Sequence, residues 1–161
     1  MESWYTFAVI SGGVGGALLG LIFVAVSIRI DVIAASIELR NRAAQTLGLF
    51  LVPVLVALAL SLPDQTPVSV GLEIAFVAVA VAVVLQLLDC RARTERSGDR
   101  VARLLDVGAP RLVTCITLLV GALLAITGLA AGLYLVAAAV TIALVGGVIS
   151  AWLFLTRVTG A

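Results

Sequence analysis

The ten arginines of this chain fall in alternate gaps between five apolar runs, and the intervening gaps hold none. Arg29, Arg40 and Arg42 follow the first run. Arg91, Arg93, Arg96, Arg100, Arg103 and Arg111 follow the third, and Arg157 lies at the end of the fifth. The stretch before the first run and the gaps after the second and fourth carry no basic residue. Positive side chains stay on the cytoplasmic face, because carrying them across the bilayer against the potential is unfavourable. The pattern therefore predicts an all-α polytopic bundle of five transmembrane helices, N-terminus outside and C-terminus inside.

The spans are expected at about 5–28, 43–62, 68–88, 111–129 and 132–156, within a single transmembrane domain covering 1–161. Only 12% of residues are charged and the mean hydropathy is +1.27, where a soluble domain has about 25% charged residues. Five spans of about 20 residues leave no length for a soluble domain. The start Met-Glu-Ser-Trp lacks a basic leader, so the first run is expected to span and not to be a cleaved signal. Trp4 and Tyr5 are expected at the outer interface, and Trp152 and Phe154 near the inner one. All-arginine usage with abundant Ala, Val, Leu and Gly fits a GC-rich genome and a bacterial plasma membrane.

The chain has no Lys and no His. It therefore has no Schiff-base lysine, no Walker loop and no imidazole for acid–base work or metal binding. It carries no serine-nucleophile motif, no paired membrane aspartates and no metal-ligand spacing. A non-enzyme without cofactor or metal is expected. Cys90 and Cys115 both fall near the cytoplasmic side, where a disulfide is disfavoured, and read as small apolar side chains.

Between the spans, Pro63 to Pro67 and Gly128 to Gly132 read as tight turns. In the inner segment 29–42, Ile30, Ile33 and Ile37 share a helical face and Glu38 stands four residues before Arg42. That segment is expected to continue the first helix or lie along the interface, with Asn41 capping the second span. The stretch 90–110 reads as a basic amphipathic helix on anionic lipid headgroups, with an apolar strip of Val101, Leu104 and Leu105 and a cap at Ser97. A cytoplasmic protein partner is the alternative. Nucleic acid is not expected, since stacking aromatics and a larger basic surface are missing.

Ser11 to Gly20 is glycine-rich but lies inside a span, so it is a packing surface and not a phosphate loop. Gly12, Gly16 and Gly20 are spaced by four, and Thr6, Gly13, Gly20 and Ser27 by seven. Similar small-residue stripes run through Gly71, Ala75, Ala78 and Ala82, through Thr114, Thr117, Gly121, Ala125 and Gly128, and through Ala139, Ala143, Gly147 and Ala151. Close packing within the chain or between copies follows, with a homo-oligomer as the expected assembly. Pro53 marks a kink or hinge in the second span. Glu73 is the carboxylate set within a span, and such groups mark a pathway, a pair or an interface. Gln86 and Asp89 follow on the same run, and Arg29, Asp31, Glu38, Asp89 and Arg91 are placed to form an inner ion-pair cluster.

The run Gly16 to Ile28, with Gly132-Leu133-Tyr134 and Ser150-Ala151-Trp152, resembles a group of small actinobacterial five-span membrane proteins. Some of these are labelled as modulators of a membrane-bound protease. The resemblance implies a bacterial membrane location and adds a non-catalytic regulator of a larger membrane complex as a function. The residues themselves point first to an oligomeric channel or transporter for a small ion or solute, on the strength of Glu73, Pro53 and the glycine faces.

Overall fold

The computed structural model describes residues 2–93 and 109–159, with side chains described for all of these except 2, 3, 38, 89–93, 109, 110 and 157–159. The basic stretch expected at 90–110, including Ser97, Val101, Leu104 and Leu105, lies outside the described side chains. The elements of the described residues are all helices: α1 Glu2–Ile28, α2 Ile30–Ala35, α3 Ile37–Ser61, α4 Pro67–Arg93, α5 Ala109–Ile126 and α6 Ala131–Thr159. Among the described residues, four helices are long and apolar enough to cross a membrane, over Trp4–Ile28, Leu39–Ser61, Pro67–Leu88 and Ala131–Thr156. The apolar part of α5, Arg111–Ile126, is shorter.

Helices α3, α4, α5 and α6 form a ring in which each packs against the next and α6 closes on α3. Helix α1 stands outside the ring against α3, with slight contact to α2 and α6. In lipid, apolar burial does not drive helices together, so dispersion and close backbone approach must. The small-residue stripes of the ring helices supply that approach. Gly71, Ala78, Gly121, Ala125, Ala139, Ala143 and Gly147 are all buried. A Cβ at Gly121 would stand 3.0 Å from the carbonyl oxygen of Gly132, so α5 and α6 begin in backbone contact. The central cluster is Val52, Val56, Ile74, Ala78, Leu118, Ala122, Val136, Ala139, Val140 and Ala143. Large apolar side chains on every long helix, such as Phe23, Leu58, Phe76, Ile116 and Trp152, point outward. Such a belt suits acyl chains and would be untenable in water.

The turns explain the up-and-down path. Thr66 and Ser69 cap α4 reciprocally: Ser69 N–H donates to Thr66 Oγ1 at 3.2 Å, and Thr66 N–H to Ser69 Oγ at 3.0 Å. Pro67 takes the first helical position, where its missing N–H is harmless. Between α5 and α6, Gly128 adopts φ +78°. Its N–H donates to Ala125 O at 3.0 Å, and Leu129 N–H to Leu124 O at 3.3 Å, a Schellman ending.

Four expectations are corrected at the other end. The 29–42 segment is not one continuous helix, because the chain breaks at Arg29 and again at Ser36, whose backbone is extended. Ser36 Oγ, not Asn41, caps α3, accepting from Leu39 N–H at 3.4 Å. With that break, Ile33 is buried while Ile30 and Ile37 are exposed, so the three do not share a face. Phe154 is not an interfacial ring. It is 2% exposed, in a second cluster with Ile22, Ile33, Ala43 and Phe50. Trp152 and Tyr5 are exposed, and Trp4 meets Phe7 and Tyr134 edge-on.

Candidate functional site

Polar side chains gather at the two ends of the bundle. At one end lies the Pro63–Pro67 turn. Gln65 reaches from it to Glu73, one to two turns into α4, and donates from Nε2 to Oε2 at 2.8 Å. Glu73 is half-buried and lines a groove of about 500 Å³ between α3 and α4. The remaining walls are Leu55, Leu58, Ala59, Leu62, Leu72, Phe76 and Val77. Glu73 is thus a carboxylate set in an otherwise apolar groove that opens sideways.

At the other end, α3, α5 and α6 enclose a cavity of about 20 Å³, room for a single water. Arg42, Gln45, Thr46, Arg111 and Ser150 line it, with Leu49, Leu153 and Phe154. Arg111 is 7% exposed and Thr114, one turn on, is 1% exposed. Thr46 returns its hydroxyl proton to Arg42 O at 2.9 Å. Asn41 is buried and its Nδ2 meets no acceptor among the described residues. A buried amide left so costs about 1–3 kcal/mol. Sequence reasoning did not assemble this cluster. Its signal was present: Asn41 and Gln45 are four apart, and Arg111 and Thr114 three apart, so each pair shares a face.

The two ends are not connected through the bundle. From Leu47 to Leu60, α3 has no polar side chain, and neither has α4 from Ile74 to Leu85 or α5 from Leu118 to Ile126. Thr141 of α6 faces outward and bonds back to Ala137 O at 2.9 Å. The middle of the ring is filled by apolar side chains.

The sequence-predicted residues are accordingly dispersed. Gln86 is exposed near the far end of α4, about 20 Å along the helix from Glu73. Arg29 and Asp31 are exposed beside the break between α1 and α2. Glu38, Asp89 and Arg91, their expected companions, lie outside the described side chains, as does Cys90. Cys115 is half-buried. Among the described residues, no group of three or more His, Cys, Asp or Glu is arranged to hold a metal.

The glycines divide in the same way. Gly12, Gly121 and Gly147 sit in helix contacts, Gly12 against Ala57. Gly13, Gly16 and Gly20 do not pack within the chain: they face outward, with nothing within 4 Å of a Cβ built on them. Within the chain, Gly12 does not share its contact with the glycines four and eight residues on. It is Gly15, whose Cβ would lie 2.8 Å from the Pro53 ring, that joins it on α3. Pro53 is buried in this contact, and α3 runs on unbroken past it.

No family model matches the chain, and neither a curated protein nor a solved structure matches it.

Proposed function

We propose that this chain is a non-catalytic membrane protein that regulates or helps assemble a larger membrane complex. The observation that carries this reading is the dry middle of the ring. A conducting path needs polar groups or water along its length, and here apolar side chains fill the level between the two polar ends. A solid bundle acts through its surfaces. One such surface is the outward side of α1, where Gly13, Gly16, Ala17 and Gly20 leave a shallow face that another helix can approach closely. The resemblance to actinobacterial proteins labelled as protease modulators points the same way.

In this reading α5 is the fifth span. Its 18 residues reach about 27 Å, close to the thickness of the hydrocarbon core. The N-terminus then lies outside and the C-terminus inside, with Arg29, Arg40, Arg42 and Arg111 at the inner end. A bacterial plasma membrane fits the arginine-only composition.

A second reading is a channel formed between copies, and the outward Thr6, Gly13, Gly20 and Ser27 favour it, since they would let α1 helices meet. Flux of several ions through liposomes holding the purified protein separates the two. The regulator reading expects no flux above empty vesicles at any applied voltage. Reproducible single-channel steps or saturable uptake would overturn it in favour of permeation.

A further inference from the structure

We propose that the groove between α3 and α4 binds a single-chain lipophilic amine, its ammonium group on Glu73 and its hydrocarbon chain along the groove. This site is separate from the α1 surface and does not depend on the regulatory reading.

Charge comes first. The chain has no lysine, and among the described residues no arginine lies at the end that carries Glu73. Gln65 supplies one neutral N–H to Oε2, and Oε1 accepts no hydrogen bond among the described residues. A carboxylate accepts at both oxygens. In a low-dielectric setting it is most strongly complemented by a cation that also donates hydrogen bonds. Among the described residues no side-chain cation lies at this end, and a protonated primary amine from the bilayer meets both needs.

Shape comes second. The groove volume of about 500 Å³ lies within the usual range for small-molecule sites. It is walled by Leu55, Leu58, Leu72, Phe76 and Val77 along about two turns of each helix, so it takes a chain and not a compact polar solute. It opens toward the bilayer side of α3 and α4, where Leu58 and Phe76 are 62% and 76% exposed. A ligand therefore enters from the lipid. A diacyl aminophospholipid fits less well, because its second chain has no groove and its phosphate would lie beside the Glu73 carboxylate, with no arginine at that end among the described residues.

The test is equilibrium binding of dodecylammonium, with dodecanol as the neutral control, to the full chain in phosphatidylcholine nanodiscs, each corrected for uptake by empty discs. Saturable uptake of the amine is expected, about tenfold tighter than the alcohol. Glu73→Gln should abolish that preference while leaving the circular-dichroism melt unchanged. Phe76→Ala, at an exposed position, should weaken the amine and alcohol together. The proposal is overturned if neither compound binds saturably, if both bind equally, or if the preference survives Glu73→Gln. It is also overturned if phosphatidylethanolamine in the discs displaces the amine stoichiometrically, for then the site reads a phospholipid headgroup.

Discussion

Phe50 and Gly147 claim the same space: Cε1 of Phe50 lies 2.6 Å from the point where a Cβ on Gly147 would stand. The ring is 1% exposed and is held by the cluster of Ile22, Ile33, Ala43 and Phe154, so it has nowhere to turn. Gly147→Ala should destabilise the bundle by about 1–3 kcal/mol through overpacking. Adding Phe50→Leu should recover part of the loss, a coupling that a double-mutant cycle on thermal melts will measure. Additive losses would place the two residues apart.

Backbone contacts give less than side chains do. Gly121→Ala is expected to be costlier than Gly147→Ala, since its Cβ would meet the carbonyl oxygen of Gly132 and the amide of Val136 at 3.0 Å. Gly128→Ala acts differently. Space around it is open, but its φ of +78° is left-handed, so the cost is backbone strain of about 1–2 kcal/mol. The comparison is read from melting temperatures in one detergent. A Gly121→Ala protein as stable as the parent would mean that α5 and α6 are further apart than described.

Gly16→Leu and Gly20→Leu should leave the melt of the isolated chain unchanged, because both positions are open. The same variants should lose any association made through α1, seen as lower mass in detergent or loss of a cross-link placed at Ala17. A melt lowered by several degrees in a monomeric preparation would place these glycines inside a contact.

Orientation is testable with single cysteines in a Cys90→Ser, Cys115→Ser background. Glu2→Cys should react with an impermeant maleimide added outside intact cells, and Thr159→Cys only after lysis. Equal reaction at both ends would require an even number of crossings.

The sequence carries the helices far better than it carries their neighbours. The end of α1 and the starts of α4 and α6 follow from where apolar runs meet Arg, Pro or Gly, which is local chemistry. The inward stripes through Gly71, Gly121 and Gly147 were also legible, because small residues on one face mean close approach wherever they occur. Which glycines of α1 face inward was not. Gly12, Gly15, Gly16 and Gly20 are chemically alike, and the choice rests on Ala57 and Pro53 of α3, more than thirty residues away. The cluster of Gln45, Arg111 and Ser150 was hidden for the same reason: its members come from three helices. Glu73 was recognisable as an intramembrane carboxylate, but its tie to Gln65 depends on how the prolines fold the turn.

The Schellman ending at Gly128 bears on how the last two helices enter the bilayer. The turn spans few residues and none of them is charged. Two of its N–H groups are already bonded to carbonyls of α5, so little remains to be stripped of water during transfer. In the five-span reading proposed above, helix α5, the shortest of the long helices, need not insert by itself: it can cross with α6 as a closed hairpin held by the backbone contact of Gly121 with Gly132.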